Sequence, residues 1–311
     1  MKKMINTTRV EGWVYDHKLE KKVSGPKAKN PNTPYITGVL NVATDNELTN
    51  IVPVHFTYVT ATTSKGANTT FEVLSNIIDG KVKTVMGDGA DQAATIRIDS
   101  NVGLNEFYSD RSGKEELVSA KRNEGGFIHV NETLNMDESK RATFECDMLI
   151  TGTVRVEANE ERNLPEKVTV KGAIFDFRGA LLPIEFTALN EGAMNYFENL
   201  GASPKTPVLT MVRGVQVSKT VARKIEEEGA FGDTYVREVP SQRKDWVITW
   251  AKGEPYEWDD ASTLTVMELN EAISNREIAL AAMKKRNDEY KASRGTAAPA
   301  ITAPRTAGFN F

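Results

Sequence analysis

The chain has 311 residues, 40% apolar and 26% charged, with a formal net charge of −4. That length can hold two cores of ordinary size, and the balance is that of a globular protein, not a basic nucleic-acid glue or a disordered chain. No apolar run is long enough to cross a bilayer as a helix, the opening MKKMINTTRVEG has no apolar core behind its lysines and makes a poor signal peptide, and a single cysteine, Cys146, excludes an intrachain disulfide and points to a reducing, cytoplasmic setting.

Strand signals dominate the first 250 residues: β-branched and aromatic runs bounded by Gly, Pro, Asn and Asp. In the first half strands are predicted at 8–19, 35–43, 51–61, 94–107 and 116–130. A short helix is predicted over 69–79, where Phe71, Leu74, Ile77 and Ile78 recur at helical spacing. The second half reads alike, with strands at 146–156, 167–177, 181–189, 207–222 and 235–250. Its helix, over 192–202, carries Ala193, Phe197 and Leu200 on one face.

Both halves thus run β-β-β-α-β-β, and the parallel reaches single residues. Gly38 answers Gly172, Val52-Pro53-Val54-His55-Phe56 answers Leu182-Pro183-Ile184-Glu185-Phe186, and Phe71 answers Phe197. Gly within a strand and Pro near a strand's start mark bends and edges. Five short strands with a helix after the third describe the OB-fold, a partly open five-stranded barrel. The expected fold is mainly β: two tandem OB-fold-like barrels at 7–132 and 144–252, a long C-terminal α-helix at 262–292 and a flexible tail at 293–311. Ser262 or Thr263 can cap that helix, and Glu268 stands in its first turns. The tail is rich in Ala, Pro, Thr and Gly but carries Phe309 and Phe311.

Catalytic and metal chemistry finds little support. His17, His55 and His129 lie far apart with no ligand spacing. No phosphate-loop or nucleophile-elbow motif is present, and GDGAD at 87–91 lacks the further ligands of a calcium loop beyond Asp88 and Asp91. No catalytic residue, metal or cofactor is expected; the chain reads as a binding protein.

Charge is unevenly placed. Residues 1–30 hold eight Lys or Arg against three acids, a net +5 that leaves −9 for the rest. The predicted loop at 18–34 carries Lys18, Lys21, Lys22, Lys27 and Lys29. The predicted hairpin at 107–116 offers Arg111 and Lys114 at its tip and Phe107 and Tyr108 at its base, with Lys121 and Arg122 on the strand beyond. Trp13, Tyr15, Tyr35, Phe56 and Tyr58 add aromatic rings on the strands. Rings beside cations suit single-stranded nucleic acid, whose bases stack and whose phosphates track positive charge; no recognition helix for duplex is visible. The corresponding loops of the second half are acidic, with Glu157, Glu160, Glu161 and Glu166 in one and Glu226, Glu227, Glu228 and Asp233 in the other. The first half is therefore expected to carry most of the binding, with Lys171, Arg178, Arg213 and Lys219 as sheet-face contributors from the second.

On the Gly38/Pro53 and Gly172/Pro183 repeat and the opening TRVEGWVYDHK, residues 7–250 resemble the large, phage-encoded single-stranded DNA-binding proteins built on OB-folds. The resemblance implies a protein that coats and protects single-stranded DNA in replication or recombination without base specificity, and that works in the host cytoplasm. Bacterial members recruit partners through an acidic tail ending in Phe. This chain ends in Phe311, but AGFNF has no acid and Arg305 lies nearby. The helix and tail are then the expected surfaces for replication or recombination proteins or for a second copy. The competing reading is a virion or scaffold component that uses the same barrels and helix for assembly.

Overall fold

The computed structural model describes residues 4–64, 66–159, 164–228, 234–259 and 263–295. Of the tail expected at 293–311, residues 293–295 instead continue the C-terminal helix, and 296–311, with Phe309 and Phe311, lie outside the described residues, as do Glu160, Glu161 and Asp233. The first half contains β1 (Asn6–Val23), β2 (Pro34–Ala43), β3 (Ile51–Thr60), a small hairpin of β4 (Thr62–Thr63) and β5 (Gly66–Ala67), α1 (Thr69–Ile78), the one-turn α2 (Val85–Asp88), β6 (Thr95–Ser109) and β7 (Glu116–Val130). A 3₁₀ turn at Glu138–Lys140 leads to the second half: β8 (Ala142–Val156), β9 (Lys167–Phe175), β10 (Leu181–Ala188), α3 (Glu191–Asn199), β11 (Val208–Glu228) and β12 (Thr234–Ala251). The long α4 (Val266–Gly295) follows.

The protein is mainly β with a C-terminal helix, and its ten long strands form one mixed sheet in the order β11-β12-β10-β9-β8-β1-β2-β3-β7-β6. Additional pairings join β1 to β6 and β8 to β11. The same succession of partners recurs in each half: β1-β2-β3-β7-β6 and β8-β9-β10-β12-β11. The parallel contact in each is narrow, with Val54↔Asn123 and His55↔Glu124 in the first and Thr187↔Val247 in the second. The halves are not separate sheets, because Asn6–Val10 of β1 pair with Ala142–Cys146 of β8.

Gly38 and Gly172 hold matching places. A Cβ on Gly38 would meet the carbonyl oxygen of Lys18 at 2.0 Å, and one on Gly172 that of Leu149 at 2.1 Å. Each is a point where the second strand of a half crosses close to the first, beside a shift in register. The two helices after the third strands are capped alike: Asn68 Oδ1 accepts from Thr70 N at 3.1 Å and Asn190 Oδ1 from Ala193 N at 2.7 Å.

Strand alternation fills two main cores. One gathers Val10, Val14, Leu40, Val54, Phe56, Leu74 and Ile98 under α1. The other gathers Phe144, Met148, Val170, Phe186, Phe197 and Trp246 under α3, and it also takes Val102 from β6. Asn6 stitches the seam: its Nδ2 donates to the carbonyls of Val102 (3.0 Å) and Phe175 (3.1 Å), and its Oδ1 accepts from Val102 N (2.9 Å). Cys146 is buried beside it, and burial raises its thiol pKa far above the usual range.

Thr265 stands just before α4 and caps it. Its Oγ1 accepts from Glu268 N at 3.2 Å and Glu268 Oε2 accepts from Thr265 N at 3.1 Å, a reciprocal cap; of the caps expected, Thr263 instead donates to the carbonyl of Glu257, and Ser262 lies outside the described residues. Leu269 and Ala272, with Leu264 just before, bury against Leu149, Phe175 and Leu209 of the second half. Farther along, Arg276 clamps Glu106 of β6 with both terminal nitrogens, and Lys284, Asn287 and Lys291 all reach Glu115 in the β6–β7 turn. Among the described residues, no helix is long and apolar enough to cross a membrane.

Candidate nucleic-acid interface

An open groove of about 1360 Å³ crosses the seam between the halves. Its floor follows from strand register. One row runs Phe127 (β7), Asp99 (β6), Arg9 (β1), Thr143 (β8), Val215 (β11). The next runs Thr7 (β1), Glu145 (β8), Arg213 (β11), Trp250 (β12). Neighbouring strands lie about 4.8 Å apart, so five spacings, roughly 24 Å along the sheet, separate the strands of Phe127 and Trp250.

Local irregularities turn these side chains outward. Gly125 and Gly126 have φ of 67° and 123°, and a Cβ at Gly126 would lie 2.4 Å from the carbonyl oxygen of Asp99. The β6–β7 register shifts here, and the bulge leaves Phe127 70% exposed at the strand's edge. A second shift between Arg213 and Gly214 sets Arg213 opposite Trp250, its guanidinium 4.7 Å from the indole, which is 45% exposed. Tyr58, 44% exposed, lines the groove with Phe127 on the first half's side, while Trp250 stands just beyond its Arg213 end.

The cations of the face are each set against an acid. Arg9 Nε lies 3.0 Å from Asp99 Oδ1, and Arg97 Nε 3.2 Å from Oδ2 of the same carboxylate. Arg213 lies 3.0 Å from Glu145. Exposed pairs of this kind contribute at most about 1 kcal/mol, so a phosphate can compete for either guanidinium. Lys140 adds charge at the rim, 3.2 Å from Asp137.

The residues expected from sequence separate into three places. Tyr58 lies in the groove, and Tyr35 packs on it with ring centroids 4.6 Å apart. Lys18, Lys21 and Lys22, expected in a loop, instead continue β1 as partners of Val39, Ile36 and Tyr35, because the alternation persists to Val23 and β2 is long enough to pair with it. Lys21 lies 2.7 Å from Asp79 and Lys22 2.7 Å from Glu20; the latter contact raises the lysine pKa. Only Lys27 and Lys29 stand exposed in the shorter loop that remains, which Ser24 closes through Thr33.

Other expectations are corrected by burial. Phe56 is 1% exposed in the core, on the face of β3 opposite to Tyr58, and cannot offer a stacking surface. Lys121 points into a separate cleft of about 640 Å³, donates to the carbonyl of Glu185 and covers the Phe186 ring; burial pushes its pKa down to about 8. Trp13 is half-buried under the Arg141 guanidinium at 5.5 Å, and Tyr15 is half-buried beside a β1 bulge. Arg122 is held 3.0 Å from Glu124. Phe107, Arg111 and Lys114 are exposed, but their hairpin is fastened to α4 and Lys284 stands 5.4 Å above Tyr108. This group lies apart from the residues lining the groove.

Phe127, Trp250 and Arg9 were not singled out by sequence. The signals available were the Gly-Gly-Phe run, which reads as a bulge, and the position of Arg9 and Trp250 on alternating faces, which registers with distant strands alone decide.

The comparisons with known proteins join the description here. The YorF family model matches residues 4–286. The chain belongs to the YorF family. No curated protein matches it. Among solved structures it is similar to a deletion mutant of the single-stranded DNA-binding protein from Thermus aquaticus, at 12% identity and a TM-score of 0.45, covering 84% of this chain and 99% of that one.

Proposed function

We propose that this protein binds single-stranded DNA along the groove between Phe127 and Trp250, without sequence specificity. The observation that carries the reading is one exposed face on which rings at both ends flank Arg9 and Arg213. Any base can stack on Phe127, Tyr58 or Trp250, for about 1–3 kcal/mol per ring, while the arginines exchange their carboxylate partners for phosphates. Rings that stack on any base and arginines that pair with any phosphate favour coating over reading.

In this reading residues 7–132 and 144–252 act as two OB-fold-like barrels, supported by the matching succession of pairings. α4 and the residues beyond Gly295 are surfaces for replication or recombination proteins or for a second copy. The protein is non-catalytic and serves phage-type replication or recombination in the cytoplasm. Both halves contribute to binding, since Arg213 and Trp250 come from the second. Lys18, Lys27 and Lys29 extend the path beyond Tyr58 and Tyr35.

Titrating oligo-dT into the protein tests this. Tight binding at low salt, a steep loss of affinity as salt rises and quenching of Trp fluorescence are expected. Absence of salt-dependent binding at low ionic strength would overturn it.

A further inference from the structure

β11 and β12 stay paired far beyond the body. β11 leaves β8 after Val215↔Thr143, and β12 meets β10 only at Val247, yet the two remain paired from Gln216↔Trp246 out to Glu228↔Thr234. The base of this ribbon is held by the first half: Asn50 bonds the Gln216 carbonyl (3.1 Å) and Ser218 N (2.6 Å), and Lys219 lies 2.9 Å from Asp45. From Thr220 outward, no third strand joins the ladder among the described residues. The nine residue pairs from Thr220↔Gln242 to Glu228↔Thr234 make an arm roughly 30 Å long at about 3.4 Å per residue.

A two-stranded ribbon is marginal in water by itself, and its free edges invite another strand. The two edges are not equivalent. β12 carries Pro240, which has no N–H to give to a neighbour, whereas residues 220–228 of β11 contain neither Pro nor Gly. The charge order along β11 is asymmetric: Arg223 and Lys224 precede Ile225, and Glu226, Glu227 and Glu228 follow it. In the ribbon's register those three acids stand opposite Val236, Tyr235 and Thr234.

We propose that the arm pairs with the same arm of a second copy of this chain, β11 against β11, antiparallel, about a two-fold axis at Ile225. That register sets Lys224 opposite Glu226 and Arg223 opposite Glu227, each twice by symmetry, around a central Ile–Ile pair. Moving the axis one residue to Lys224 would oppose Lys to Lys and leave the acids facing Thr220, Val221 and Ala222. Opposite charges across strands stabilise and like charges destabilise, so the sequence selects the first register. The contact is isologous and closes as a dimer. It rests on the ribbon and not on the groove.

Sedimentation velocity on the full chain tests the proposal with two charge-reversed variants, Arg223→Glu/Lys224→Glu and Glu226→Lys/Glu227→Lys. The unsubstituted protein is expected to be a dimer that loosens as salt is raised. Each variant alone should sediment as a monomer whose body remains folded by circular dichroism, and an equimolar mixture should restore the dimer. A monomeric parent protein at tens of micromolar, variants that dimerise like the parent, or a mixture that stays monomeric would each overturn it. Variants that remain dimeric but lose oligo-dT affinity would make the arm a nucleic-acid contact and overturn it equally.

Discussion

Asn123 and Gln216 face each other across the seam and exchange two amide hydrogen bonds, 2.7 Å from Asn123 Nδ2 to Gln216 Oε1 and 3.0 Å in return. Both residues are buried, and Asn123 also donates to the carbonyl of Pro53. The pair ties β7 of the first half to β11 of the second, next to the strands that floor the groove. Because each amide satisfies the other, removing one leaves a buried polar group without its partner. Asn123→Ala or Gln216→Ala should cost about 1–3 kcal/mol. Asn123→Ala/Gln216→Ala should cost less than the sum of the two single changes, because the second removes a partner already lost. Urea unfolding of the four proteins as a double-mutant cycle checks this; strict additivity would show that the amides do not act together.

The two rings on β3 should behave oppositely. Phe56→Ala empties a core position and should destabilise the fold by about 3–5 kcal/mol. Tyr58→Ala should leave the melting temperature nearly unchanged and weaken oligo-dT binding by about 1–3 kcal/mol. Thermal melts together with binding titrations separate the two; a large stability loss in the Tyr58 variant would place that ring in the core.

Salt dependence reports on Arg9 and Arg213. Each that neutralises a phosphate adds about 0.7 to the slope of log affinity against log salt for a single strand. Arg9→Gln and Arg213→Gln should each flatten the slope by about that amount. An unaltered slope in both would remove them from the phosphate path.

Lys121 gives a pH signature. Its pKa is about 8 in the folded protein against an ordinary 10.5, because burial disfavours the ammonium. The unfolded chain therefore holds more protons between those values, and stability should rise as pH increases from about 8 to 10.5. Lys121→Met should abolish that rise. Denaturant midpoints across the range decide; an unchanged slope in the variant would contradict the assignment. Glu115 works in the opposite range. Lys284 and Lys291 hold its carboxyl near pH 2, so its contribution to α4 docking is full above about 4.5 and fades as pH falls towards 2.

Much of the fold was legible in the sequence because it rests on local signals. Gly38 and Gly172 mark two close strand crossings, Asn68 and Asn190 cap two helices, and alternation outlines the strands. The site was less legible. Phe56 and Tyr58 are two residues apart and so expected on one face, yet a strand that bends past its register shift at Gly38 buries one and exposes the other. Lys121 looked like a surface cation until the second half closed over it. The β6–β7 hairpin looked free, but α4 returns from more than 150 residues away to hold Glu106 and Glu115. Arg9 and Arg213 meet Phe127 and Trp250 only because β1 pairs with β8, a contact that no local pattern encodes.

The most direct measurement is oligo-dT affinity of Phe127→Ala/Trp250→Ala beside that of Lys27→Ala/Lys29→Ala, at low salt and by anisotropy of labelled DNA. Loss of both end rings should weaken binding by at least tenfold, with most of the fluorescence quenching gone, while loss of the loop lysines should have the smaller effect. Equal affinity of the ring variant and the unsubstituted protein would contradict the placement of single-stranded DNA in this groove.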